Sequence, residues 1–144
     1  MKVYFAGAIY GGREKLDTYI VIQKIIENLG HEFLTKHVTG VGLSTEEVKF
    51  GRDPSYSYVR DIKLLKEADC MIAEVTLPSL GVGYELAYAC EIRKIPVLAL
   101  FEEDKEHEIS AMIRGNTSEN FEARPYNKQN LEKIIEEFLF KIKI

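Results

Sequence analysis

An apolar run, VYFAGA at residues 3–8, is long enough for one buried strand. Residues 14–29 then place apolar side chains at helical spacing and close on Leu-Gly, a C-terminal cap signal. A second short strand is expected at 31–35. Residues 40–51 are a glycine-rich, polar connection with one helical turn around 45–48, and this stretch is the best candidate for a mobile loop. Asp53 followed by Pro54 has N-cap and N1 chemistry and opens a helix to about residue 67. The run DCMIAEV at 69–75 reads as a buried strand, 80–93 as a helix and 96–101 as a fourth strand. Beyond the charged loop EEDKEHE, SAMIRG is a short helical stretch. FEARPY, with its internal proline, suits an edge strand, and 127–144 a closing amphipathic helix. Strands alternating with helices imply right-handed crossovers. The expected fold is therefore a three-layer α/β sandwich with a five-stranded, mainly parallel sheet, forming a single domain over 1–144 that binds ligands beyond the carboxyl ends of its strands.

A chain of 144 residues, 46% hydrophobic, suffices for one domain with a sizeable core, and a formal charge of -4 supplies no basic field for a phosphate backbone. Nucleic acid is not an expected partner. No apolar run has the roughly 18 to 20 residues of a membrane span, and the start, MKVYFAGA, lacks signal-peptide architecture, so no membrane association and a cytoplasmic location are expected. Cys70 and Cys90 fall in an apolar strand and helix and read as buried, reduced thiols. His31, His37 and His107 show no metal-ligand spacing, so neither a metal nor another cofactor is expected.

Two familiar phosphate motifs fail on inspection. In GAIYGGRE, Gly7 and Gly12 have P-loop spacing, but Arg13 and Glu14 stand where Lys and Ser/Thr are needed. What survives is a glycine-rich turn at a helix N-terminus, whose N–H groups and Arg13 suit a phosphate or a sugar hydroxyl. GVGYEL lacks the third glycine of a dinucleotide site, and no G-x-S-x-G nucleophile elbow occurs.

Two carboxylates occupy apolar stripes. A projection at about 100° per residue puts Asp61 among Tyr58, Leu64, Leu65 and Ala68, with Arg60, Lys63, Lys66 and Glu67 elsewhere on the wheel. The same projection surrounds Glu85 with Gly81, Val82, Tyr88, Ala89 and Ile92. An inward carboxylate costs several kcal/mol unless it is paired or hydrogen-bonded, so such a pair suggests chemistry, with capping or loop bonding as the alternative. The field at the start of its helix is expected to favour ionised Glu85, and an apolar setting to leave Asp61 able to hold a proton. Divided roles of that kind suit cleavage of a glycosidic bond.

The segments YFAGAIYGGRE, TKHV, RDIKLLKEADCMIAEVTLPSLGVGYELAYA and SAMIRG, in this order, resemble the 2'-deoxynucleoside 5'-monophosphate N-hydrolases, a branch of the nucleoside 2-deoxyribosyltransferase group. The resemblance implies a flavodoxin-like (Rossmann-like) α/β domain that forms a homodimer, needs no metal, and cleaves its nucleotide to a base and 2-deoxyribose 5-phosphate. By motif, Glu85 matches the nucleophile that forms a glycosyl-enzyme intermediate, Asp61 the carboxylate assisting base departure, and Tyr4 the tyrosine positioning Glu85. Ser79 matches a phosphate contact. Similar transferases of unphosphorylated nucleosides carry a carboxylate there, which would repel phosphate, whereas serine donates to it. Ser110, with Ala111 and Met112, matches the segment that reaches the phosphate from the partner subunit. Gly7, Ala8, Ile9, Tyr10, Gly11, Gly12, Arg13, Tyr19, His37 and Gly81 match positions around the substrate. The chain departs from the pattern at Ala8 and Tyr10, where the relatives carry serine and arginine. Transfer between bases, hydrolysis of ribonucleotides and a non-catalytic nucleotide-binding module all remain open at the level of sequence.

Overall fold

The computed structural model describes residues 1–9 and 14–143. Five strands, β1 (Lys2–Ala6), β2 (Glu32–Phe33), β3 (Cys70–Glu74), β4 (Val97–Glu102) and β5 (Phe121–Tyr126), form one sheet in the order β2-β1-β3-β4-β5. Every pairing is parallel, including that of the edge strand β5. Because both faces are covered, the strands read as continuous apolar runs, and alternate residues supply two separate cores. Val3, Phe5, Cys70, Ile72, Leu98 and Leu100 pack on one side with α1 (Leu16–Asn28) and α7 (Leu131–Ile142). Tyr4, Ala6, Met71, Ala73, Val97 and Ala99 face the other side, with α4 (Pro54–Glu67) and α5 (Leu80–Ala87).

The chain runs outward from β1 to β2 in one direction and from β3 to β5 in the other, so its direction reverses between β1 and β3. That reversal opens a crevice at the carboxyl ends of those two strands. Gly7, Ala8 and Ile9 leave β1 there. The turn from β3 enters α5, whose N-cap Ser79 accepts from Val82 N at 3.3 Å. Asp53 caps α4 as expected, accepting from Tyr56 N at 2.8 Å with Pro54 in the first turn.

Some elements depart from the pattern-based expectation. Strand β2 is two residues long because the Thr35 side chain takes over the pairing. Its hydroxyl donates to Phe5 O at 2.7 Å and accepts from Phe5 N at 3.1 Å. Helices α2 (Lys36–Thr39) and α3 (Thr45–Phe50) follow. The expected helix at 80–93 is α-helical only to Ala87 and then widens into a π-type turn over Tyr88–Arg93, which leaves Ile92 68% exposed instead of beside Glu85. The charged loop coils into a 3-10 turn over Glu103–Glu108, ahead of α6 (Ala111–Arg114). Both cysteines are buried free thiols. Among the described residues no helix is long and apolar enough to cross a membrane.

Candidate active site

Tyr4 points from β1 toward α5 and is only 1% exposed, so its hydroxyl needs a partner. It donates to Glu85 Oε1 at 2.8 Å. Asp61 on α4 lies on the far side of a cavity of about 360 Å³ whose lining includes Tyr58, Asp61, Leu80, Gly81, Tyr84 and Glu85. Asp61 Oδ1 accepts from Arg60 Nε at 2.8 Å and lies 3.2 Å from His37 Nε2. Tyr4, Asp61 and Glu85 are thereby assembled from β1, α4 and α5, with His37 of α2 behind Asp61.

The two acids differ in the sense opposite to the sequence expectation. Burial raises the Glu85 carboxyl, the Asp61 charge raises it further, and the Tyr4 hydrogen bond and Arg60 offset only part of this, leaving it at about 7. Burial also acts to raise Asp61, but hydrogen bonds from His37 and Arg60, and the charges of both, outweigh it and hold Asp61 below the usual carboxylate range. Glu85 is the sixth residue of α5, and the field of a helix N-terminus fades within the first turn. Asp61 is flanked by a guanidinium that the helical projection places elsewhere on the wheel. The Arg60 side chain is long enough to fold back to its neighbour. Burial, then the charges of Glu85 and Asp61, push the Tyr4 hydroxyl well above its ordinary value, so it stays a neutral donor.

Gly7 and Ala8 are buried at the end of β1, and Ile9 is partly buried. Gly7 lies so close to the Tyr19 ring that a Cβ would stand 2.6 Å from Cζ, which accounts for glycine there. Tyr10, Gly11, Gly12 and Arg13 lie outside the described residues. Ser79, Ser110 and Met112 line a second cavity of about 710 Å³ on the other flank of α5. Ser110 is exposed and accepts from Met112 N at 3.3 Å, and Ala111 is exposed beside it. None of Ser110, Ala111 and Met112 lines the cavity that holds Glu85 in this chain.

The apolar pattern of 69–75 conceals another acid. Glu74 ends β3 with no exposed surface and sits on the sheet face of Tyr19 and Tyr126. Its Oε1 accepts from the Thr76 hydroxyl and from Tyr126 Oη at 3.1 Å. Burial raises its carboxyl against the opposing effects of Thr76, Lys15 and Tyr126. Its single carboxylate inside an apolar run is the signal that could have exposed it.

The nucleoside 2-deoxyribosyltransferase family model matches residues 3–131 of the chain. The chain belongs to this family. A relative from Methanosarcina barkeri, provisionally named 2'-deoxynucleoside 5'-phosphate N-hydrolase 1, is 40% identical over 142 residues, covering 98% of this chain and 86% of its own. The 5-hydroxymethyl-dUMP N-hydrolase of Danio rerio is 39% identical over 140 residues, with 96% and 95% covered. Among solved structures, the Clostridium botulinum CMP N-glycosidase BcmB superposes with a TM-score of 0.67 at 22% identity, over 95% of this chain and 99% of that one. The 2-deoxyribosyltransferase of Bacillus psychrosaccharolyticus does so with a TM-score of 0.67 at 18% identity, over 92% and 90%. Both share the α/β architecture of the nucleoside 2-deoxyribosyltransferase family, as expected from the strand and helix order.

Proposed function

We propose that this member of the nucleoside 2-deoxyribosyltransferase family hydrolyses the N-glycosidic bond of 2'-deoxynucleoside 5'-monophosphates, releasing the free base and 2-deoxyribose 5-phosphate. The observation that carries the reading is the Tyr4–Glu85 hydrogen bond at 2.8 Å in a cavity that also holds Asp61. Relatives close to 40% identical are named as deoxynucleotide N-hydrolases, which supports the same substrate class.

In this mechanism, ionised Glu85 attacks C1′ while the C–N bond breaks, with Tyr4 holding the attacking carboxylate in place. Asp61, fixed by Arg60 and His37, presents a second ionised carboxylate that stabilises positive charge building on the sugar. Water then cleaves the Glu85 ester: its hydroxyl goes to C1′, its remaining proton balances the departed base, and the carboxylate is restored. Gly7, Ala8 and Ile9 of the glycine-rich turn border the substrate together with Tyr19, His37 and Gly81. Ser79 accepts the Val82 N–H and still has its own hydroxyl proton to donate to the phosphate. Ser110, Ala111 and Met112 complete the site of a second copy in a homodimer. Exposed Leu80 (98%), Met112 (84%), Tyr58 and Tyr84 (each 57%) around the two cavities support such an interface. The buried thiols fit a reducing, cytoplasmic setting.

The test is incubation with the four deoxy- and four ribonucleoside monophosphates and the matching unphosphorylated nucleosides, with free base measured. Base release from deoxynucleoside monophosphates alone is expected. Cleavage confined to ribonucleotides or to unphosphorylated nucleosides overturns the proposal, as does a new nucleotide formed in place of 2-deoxyribose 5-phosphate when a second base is added.

A further inference from the structure

Helix α3 leaves no residue buried, and Glu47 is its one partly buried residue, with a side chain that is 16% exposed. Its Oε2 accepts from Arg60 Nη1 at 2.8 Å and its Oε1 from Tyr56 Oη at 3.1 Å. Arg60 is 12% exposed, lies over the Tyr56 ring at 5.8 Å from the centroid, and gives its Nε to Asp61 Oδ1. The chain of contacts therefore runs from α3 through one guanidinium to the acid that faces Glu85.

Resting on the hydrolase reading above, we infer that Arg60 is a positioning residue for the reaction and that its bond to Glu47 couples α3 to the active site. Two features, low exposure and a two-pronged geometry, separate this pair from ordinary surface ion pairs. The Arg124–Glu137 pair, for example, is 35% and 47% exposed and gains little from solvent-screened attraction. Arg60 instead uses two different nitrogens on two carboxylates, which fixes the plane of the guanidinium and hence the direction of Asp61 Oδ1. Among the described residues Asp61 Oδ2 has no hydrogen-bond partner, so the bonds on Oδ1 leave one oxygen of Asp61 for the substrate. Apart from this link, α3 is joined to α4 by the Tyr56 Oη–Glu47 Oε1 hydrogen bond and by contacts at its C-terminal end, where Ser57 Oγ donates to Gly51 O at 3.1 Å and the Phe50 and Tyr56 rings lie 6.0 Å apart.

The groups facing Asp61 are His37 from α2, Arg60 beside it on α4, Glu85 from α5, Tyr4 from β1 and, through Arg60, Glu47 from α3. The positive charge of Arg60 favours the ionised form of both Asp61 and Glu85. Its loss should raise both carboxyls, and the acid limb of catalysis with them. Tethering and charge are separable, because lysine keeps the charge without the two-pronged geometry.

The experiment measures kcat and KM against pH for wild type, Arg60→Gln, Arg60→Lys and Glu47→Gln on the nucleotide that wild type cleaves best. Amide hydrogen exchange of α3 is followed in parallel, after circular dichroism has established that each variant is folded. Arg60→Gln is expected to raise the acid limb by about one pH unit and lower kcat/KM at pH 6 by roughly tenfold. Arg60→Lys should leave the limb near its wild-type position while α3 loses exchange protection. Glu47→Gln should loosen α3 and raise KM without raising the limb. An active wild type whose acid limb is unmoved by Arg60→Gln overturns the inference, as does unchanged α3 protection in both Arg60→Lys and Glu47→Gln. A wild type that releases no base sinks the hydrolase reading, and the exchange data then still decide whether Arg60 holds α3.

Discussion

The hydroxyl of Tyr4 and the carboxylate of Glu85, 81 positions apart in the chain, meet at 2.8 Å across the boundary between sheet and helix. Tyr4→Phe removes this donor and little volume. Since the hydrogen bond lowers the Glu85 pKa, its loss should move the acid limb of kcat/KM upward and reduce kcat by roughly ten- to a hundredfold, the scale of one hydrogen bond to a charged group. A pH-rate profile measures both effects.

Glu85 should also limit stability. Its folded-state carboxyl, raised to about 7, binds a proton more tightly than in the unfolded chain. Its contribution is therefore complete below the unfolded carboxylate range and is lost as pH rises through about 7. Replacement by uncharged glutamine removes that loss. Glu85→Gln should be more stable than wild type at pH 8 by up to about 3 kcal/mol, with the gap closing toward pH 4, while base release is abolished. Urea titrations at the two pH values give the comparison.

Asp61→Asn should act on Glu85 in the direction opposite to Tyr4→Phe. Removing the neighbouring negative charge lowers the Glu85 pKa, so the acid limb shifts to lower pH although kcat falls by roughly a hundredfold or more. An upward shift would contradict the charge coupling between these acids.

Gly7→Ala puts a methyl group 2.6 Å from Tyr19 Cζ, and Tyr19 cannot retreat because its ring packs edge-on against Phe5 at 5.4 Å. Overpacking of this kind costs about 1–3 kcal/mol. A lower Tm, by roughly 3–10 °C, should accompany a raised KM, because the displaced turn borders the proposed substrate site.

Leu80→Glu places a charge where a 98% exposed leucine would be covered by a second copy. Size-exclusion chromatography with light scattering should show the variant as a monomer and wild type as the proposed dimer, and the variant should lose base release with its fold intact.

Much of the architecture was legible because its causes are local. The apolar runs at β1, β3 and β4 announced strands covered on both faces, Asp53 with Pro54 marked a helix start, and Asp61 and Glu85 stood out on helical projections. The short β2 was less legible because Thr35, a residue typical of strands, completes the edge with its side chain. The π-type turn at Tyr88–Arg93 shifted the register on which the projection around Glu85 relied, and so turned Ile92 outward.

The pattern of residue types thus determined that this chain forms a parallel α/β sheet with two acids beside its crevice, because strand and helix periodicities are properties of consecutive residues. Which acid holds the proton was decided only by the tertiary structure. Charge states depend on burial and on groups brought in from other elements: Arg60 folding back on Asp61, His37 arriving from α2, and Tyr4 reaching Glu85 from β1. No spacing along the sequence encodes those distances.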